Sequence, residues 1–334
     1  MAEWLYEAGV GEARAALVKD GAILEAAIER DDGALRAGTV LDARFARATL
    51  PGRRGIAVAD GVELWLEPLP HGLSEGRPLR VEVGREALFE AGRAKPPRVR
   101  PAADGAVPGP GPDLRARIAA TGLPVVDCAA HGPDRLEAAG WSELLEEAAT
   151  GEIGFPGGAL RLSLTPAMAL FDVDGVLPPA DLAVAGATAA GRAIRRMGIA
   201  GSIGIDLPTV PDRAARQAAA AALDAVVPQP FERTAVNGFG FLQLVRRRTR
   251  PSLAELLQAD PALAAGLALL RRAEREPGIG ARTLVAAPPV AMPLLARPDW
   301  IAALSRRIGA SVALRPDPAL PISAAYVDVA NPSL

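Results

Sequence analysis

Two apolar-rich runs, 13–18 and 22–28, are joined at Lys19-Asp20-Gly21, and an Asp-Gly step favours a tight turn, so the first thirty residues predict a β-hairpin. From 38 to 88 come short segments of strand length, punctuated by Pro51-Gly52, Asp60-Gly61, His71-Gly72 and Glu75-Gly76. That spacing predicts a small antiparallel barrel. Four cations follow, Arg93, Lys95, Arg98 and Arg100, with no acid between them. Seven of the twelve residues 101–112 are Pro or Gly, five of them consecutive, and such a stretch holds neither a helix nor a central strand. Beyond it the pattern predicts a helix over 113–120, a strand over 124–128 and a helix over 141–148. Residues 159–164 alternate as a strand does, and 168–173 form an apolar strand with Asp172 at its end. A helix over 179–197 leads to a glycine-rich strand, 201–206, which also ends in aspartate. A helix over 212–226, a strand over 239–248 and a terminal run of helix 253–275, strand 281–286, helix 299–308 and short strands near Val329 complete the chain. The ending is that of a small α/β module, and the whole is a mixed α/β, multidomain chain without internal repeats.

The 334 residues suffice for two or three packed modules. Half are apolar but only 7 Phe, 4 Trp and 2 Tyr are present, so Ala, Val and Leu must fill the core, with Trp4, Trp141 and Trp300 as anchors. The net charge of −2 excludes a uniformly basic nucleic-acid coat while leaving room for a local basic groove. A single cysteine, Cys128, excludes a disulfide framework and a multi-thiolate metal site, and two histidines argue against a histidine-built centre. No apolar run reaches the ~18 residues that span a bilayer, and no secretory signal opens the chain, so the expectation is a cytoplasmic protein without a membrane partner. Arginines outnumber lysines 35 to two, which a GC-rich coding sequence explains.

The candidate chemistry lies in Asp172 and Asp206, each closing an apolar strand, with a helix between them. A β-α-β reading sets the strands side by side and brings the carboxylates together at one sheet edge, where α/β folds put their chemistry. Adjacent carboxylates repel unless a cation lies between them, and oxygen ligands without His or Cys select Mg²⁺ or Mn²⁺. The plainer alternative is that strand-end aspartates cap the next helix or bind loop amides. Phe171-Asp172-Val173-Asp174-Gly175 also looks like the first motif of haloacid-dehalogenase-like phosphatases, but no lysine follows Lys95 to balance a phosphoaspartate. Arg246 and Arg248, in the densest positive cluster, would share one face of a strand and could grip a phosphate backbone.

The order of these motifs resembles the catalytic region of the ribonuclease E/G family nearly end to end. The carriers are the opening hairpin, Leu50-Pro51-Gly52 with Val58-Ala59-Asp60-Gly61, the segment from Gly154 to Asp172, and Gly201 to Asp206. Asn237-Gly238-Phe239-Gly240 running through Arg246, Arg248 and Pro251-Ser252-Leu253 is the most specific of them. The resemblance implies an RNase H-like part (1–37 plus 113–150), an inserted OB-type RNA-binding barrel (38–100), a linker (101–112), a DNase I-like nuclease subdomain (151–253) and a small α/β domain (254–334). It implies a Mg²⁺-dependent endoribonuclease that cuts single-stranded RNA and leaves a 5′-phosphate. Asp172 and Asp206 would hold the metal, Asp174, where the family has asparagine, would tune it, and Arg246, Arg248, Trp65 and Lys95 would contact RNA.

The chain departs from the family in several places. Leu253 leads straight into a helix, so the zinc-binding cysteine pair and its zinc-linked dimer are not expected. The 5′-sensing region is replaced by the Pro/Gly linker, and a stacking aromatic falls at Ala57. A catalytically degenerate RNA-binding homologue is therefore the second reading.

Overall fold

The computed structural model describes residues 1–50, 52–90 and 93–330, so Pro51, half of one expected turn signal, lies outside the described residues. The chain opens with three strands rather than two: β1 (Glu3–Ala8), β2 (Glu12–Lys19) and β3 (Ala22–Arg30). The expected hairpin is β2–β3, and its turn places Asp20 and Gly21 at φ 53° and 78°, the left-handed pair that an Asp-Gly step supplies. The strand that the pattern missed, β1, carries glutamates at both ends and buries Glu7.

Next come β4 (Val40–Leu50), β5 (Arg54–Ala59), β6 (Val62–Leu66), β7 (Pro78–Arg85), the small pair β8 (Leu88–Glu90) and β9 (Arg93–Lys95), and β10 (Arg98–Pro101). Five of these close a barrel in the order β10-β6-β5-β4-β7, with β10 parallel to β6 and antiparallel to β7. Val81, Leu64, Leu66 and Phe45 fill it. Residues 102–112 form no helix and only one isolated bridge, Val40 to Gly109. They lie against the barrel, where the Gly111 amide donates to Thr39 Oγ1 and a Cβ on Gly111 would stand 2.3 Å from the Ala37 carbonyl.

Helix α1 (Leu114–Ala119), capped by Asp113, precedes β11 (Val125–Asp127), α2 (Arg135–Ala138) and α3 (Trp141–Thr150). β11 joins the first sheet in the order β11-β1-β2-β3, parallel to β1. The half-buried Cys128 follows β11, and burial pushes its thiol above the usual range.

The central sheet has six strands, ordered β12-β13-β14-β15-β17-β16. In sequence they are β12 (Glu152–Phe155), β13 (Gly158–Leu164), β14 (Ala169–Gly175), then α4 (Pro179–Arg196), β15 (Gly201–Asp206), α5 (Arg213–Asp224), β16 (Glu232–Arg233) and β17 (Phe241–Arg246). β14 and β15 are parallel with α4 as their crossover, the β-α-β unit expected from the pattern. Along its sheet-facing side α4 buries Ala183, Gly186, Ala187, Ala190 and Ala193. This lets the helix ride close: a Cβ on Gly186 would meet Val173 at 2.4 Å, and one on Gly191 would meet Val226 at 2.4 Å.

The helix expected over 253–275 is two, α6 (Leu253–Ala259) and α7 (Pro261–Arg275), bent by 105°. Pro261 disfavours a helical residue before it, and Asp260 instead caps α7 by accepting from the Leu263 amide. β18 (Arg282–Ala286), α8 (Pro288–Leu295), α9 (Pro298–Ile308), β19 (Val312–Pro316) and β20 (Tyr326–Val329) finish the chain, with sheet order β19-β18-β20. The pattern missed α8, which starts on two prolines, a pair that a helix tolerates in its first turn. No single helix among the described residues is long and apolar enough to cross a membrane.

The first sheet and α7 are joined by buried charge. Glu7, 3% exposed, receives Arg14 at 3.1 Å from β2, and Arg271 and Arg275 from α7. Arg271 also pairs with Glu12, and Asp134 pairs with Arg14 at 2.8 Å and Arg275 at 3.2 Å. Arg14 lies over the Trp141 ring, and Trp4, Trp141 and Trp300 are all buried as the composition required.

Candidate metal centre on the central sheet

Alternation along β14 buries Phe171 and Val173 under α4 and turns Asp172 and Asp174 to the opposite, uncovered face. In β15, Ile203 and Ile205 are buried and Asp206 is exposed in the same way. The parallel register pairs Asp172 directly with Asp206, so their Cα atoms stand about 4.8 Å apart, the ordinary strand spacing. Both side chains leave the same face, but only Asp206 closes its strand as expected; β14 continues through Asp172 to Gly175, because Val173 is still buried under α4. Neither carboxylate makes a hydrogen bond or ion pair among the described residues.

The pair belongs to a row that crosses five strands: Glu152, Arg161, Asp172, Asp206 and Phe241 are successive register partners. Arg161 donates to Glu152 at 2.9 Å, and that bond, with the added pull of Asp172 and Asp174, holds its guanidinium above the ordinary arginine value. At the other end of the row, Asn237 Oδ1 accepts from the amides of Phe239 and Phe241 and fixes the turn into β17. Gly204 leaves room for the Phe241 ring on the open face, since a Cβ there would meet it at 2.6 Å. Phe239, in the same turn, is 83% exposed.

The donors suit a hard divalent cation. They are two carboxylates, all oxygen, side by side and open to water, and their mutual repulsion is relieved by a cation between them. No third Asp, Glu, His or Cys joins them in a cluster among the described residues.

The arginines expected beside this pair lie elsewhere. Arg246 pairs in register with Gly201, at the far end of β15, about 17 Å of strand from Asp206. By alternation with Leu242 and Leu244 it points to the helix-covered face, where it donates to the Ile199 carbonyl at 3.0 Å. Arg248 is beyond the end of the strand, so the two do not share a strand face; it packs on Gly201 and pairs with Glu255, which closes a capping box with Ser252. Trp65 sits on the barrel and Lys95 on the separate β8–β9 pair. Trp65 is half-buried, with Arg54 and Arg85 over its ring at 5.5 and 5.7 Å, and Lys95 is half-buried on β9. The fold thus pairs Asp172 with Asp206, leaves Asp174 two residues further along β14, opposite Ala159 and not on β15, and sets Arg246 at the far end of the sheet.

Arg161 is the neighbour that the sequence reading missed. Its signal was there: strands 159–164 and 168–173 flank a turn of a few residues, which fixes the antiparallel register. Thr165 closes that turn by donating to and accepting from Met168.

Compared with known proteins, the chain matches no family model and no curated protein.

Proposed function

We propose that this chain is a divalent-cation-dependent endoribonuclease of the ribonuclease E/G type, acting on single-stranded RNA. One observation carries the reading: Asp172 and Asp206 face each other in register on adjacent parallel strands, exposed and without a protein cation bonded to either. The two carboxylates would hold Mg²⁺ or Mn²⁺, and the chemistry that such an ion supplies is acidification of a water and neutralisation of charge on the phosphate. Asp174, two residues further along the same face, accepts hydrogen bonds from that water shell but cannot donate one as an asparagine would. Arg161 keeps positive charge beside the pair, where a phosphate would approach.

The barrel supports the RNA side of this reading. A closed barrel of five strands fits an OB-type scaffold, a common binder of oligonucleotides. On it, Trp65 beneath two arginines combines a π face with positive charge, the pairing that single-stranded RNA recognises, and Lys95 would contact RNA from the β8–β9 pair. Arg246 and Arg248 would act on backbone phosphates remote from the one being cut.

The test is incubation of the full chain with a fluorescent single-stranded RNA oligomer and Mg²⁺. Cleavage is expected, with a 5′-phosphate on the downstream product, and Asp206→Asn and Asp172→Asn each reduce it to background. RNA bound but left intact by the wild-type protein would instead establish the binding-only reading, which the lack of a third acidic ligand favours. Cleavage that survives both substitutions overturns the assignment of the site.

A further inference from the structure

A cleft of about 300 Å³ opens between β3, α1 and the segment that leaves β17. Five arginines line it, Arg117, Arg195, Arg246, Arg247 and Arg250, against a single carboxylate, Glu25. Three of the five have a carboxylate partner: Arg195 in Glu25 at 2.8 Å, Arg117 in Glu29 at 2.5 Å and, more loosely, Arg250 in Glu86 at 3.7 Å. Arg246 and Arg247 have no carboxylate partner among the described residues, and the buried Nε of Arg250 is 3.7 Å from Glu86, beyond hydrogen-bond distance. Arg246 donates to a backbone carbonyl, and Arg247 is exposed without a hydrogen bond or ion pair among the described residues.

Burial holds the Arg246 guanidinium below the ordinary arginine value, and burial together with repulsion from Arg117 does the same to Arg250. Guanidinium does not give up its proton in a protein, so both groups stay charged and an anion entering the cleft gains from them. The planar fork matches a phosphate in two-point contact. The half-buried Pro228, Pro251 and Leu256 give the cleft apolar surface beside the charge, of the kind a nucleoside can lie against.

We propose that this cleft is a second site, which binds a nucleotide phosphate through Arg246, Arg247 and Arg250. It lies at the opposite end of β15 from Asp206, so it binds without cutting and stands whether or not the aspartate pair is catalytic. The barrel is anchored at the same place, since the Glu86 amide donates to the Thr249 carbonyl at 2.9 Å. The phosphate can come from a free nucleotide or from a nucleotide within an RNA strand.

Calorimetric titration of the full chain with ADP, without divalent cation, and with an RNA oligomer bearing a 5′-hydroxyl tests both sources. Saturable one-to-one binding of at least one of them is expected. Arg247→Ala, at an exposed position that folding tolerates, weakens it about tenfold, the loss of one charge-assisted contact. Arg246→Gln with Arg250→Gln removes it, and Asp206→Asn leaves it in place. ADP that displaces the RNA identifies the strand's own phosphate as the ligand, as does RNA binding alone with the same arginine dependence. ADP that binds alongside the RNA identifies the free nucleotide. Binding of neither, or binding that survives the arginine substitutions, overturns the proposal.

Discussion

Glu7 and Asp206 are both strand carboxylates, and the fold treats them in opposite ways. Glu7 is sealed between the first sheet and α7 with three guanidiniums around it. Asp206 stands in water beside another carboxylate, with no protein cation bonded to it. A chain with 35 arginines could have supplied a partner to either. The charges that hold modules together are buried and matched, whereas the charges left unmatched, acidic on the open face of the central sheet and basic in the cleft behind it, are the ones available to a ligand. The comparison yields one criterion, the presence of a partner, by which the proposed binding charges differ from those that hold modules together.

The strongest test of that criterion is at the buried hub. Glu7→Ala leaves Arg14, Arg271 and Arg275 facing one another, and breaking such a buried set is expected to cost on the order of 3–5 kcal/mol in urea unfolding. At the open site the expected sign is reversed. Asp206→Asn removes a cross-strand like-charge contact and leaves unfolding unchanged or raises stability by roughly 0.2–1 kcal/mol. The same variant should lose the stabilisation by Mg²⁺, about 1.4 kcal/mol at ten times Kd, that the wild type shows in thermal melts. If Mg²⁺ stabilises the Asn variant equally, the carboxylate pair is not where the ion binds.

A middle case is the capping box at the start of α6, which also holds Arg248 through Glu255. Ser252→Ala is expected to cost about 1 kcal/mol, read from the urea midpoint, without altering ADP binding in the cleft. The smallest effect is in the pH dependence. Burial pushes the Glu86 carboxyl above the ordinary glutamate range, against the Ala37 amide and Arg250. The unfolded chain therefore ionises first, the folded state binds more protons across that window, and stability falls as pH rises through it. Glu86→Gln removes that slope. Asp134 has the opposite sign: burial would raise it, but the Glu137 amide and Arg14 outweigh burial and hold it low. Its contribution is present above the ordinary aspartate range and disappears as pH falls through the lowered value, so Asp134→Asn flattens the acid side of the profile.

Much of the site was legible because it depends on local rules. Asp172 and Asp206 could be set side by side from the β-α-β spacing alone, and their common face followed from alternation. The misreadings arose where long-range packing decides. The pattern missed the strand at residues 3–8, and what neutralises the buried Glu7 there is the arginines of α7, more than 250 residues away. Arg246 looked like a companion of the aspartates because both lie on one sheet, yet the antiparallel pairing of β15 and β17 puts them at opposite ends. The break at Asp260-Pro261 was a local signal outweighed by the apolar periodicity on either side of it.

The seam between α4 and the central sheet has a practical corollary. Of its eight buried positions, only Leu182 and Ile194 carry large side chains; the rest are alanine or glycine. A conventional alanine scan would pass over this surface almost silently, because there is little to truncate. Systematic enlargement, one methyl or isobutyl group at a time, is the survey that would register how tightly the position of Asp172 is tied to a helix that never touches the ligand.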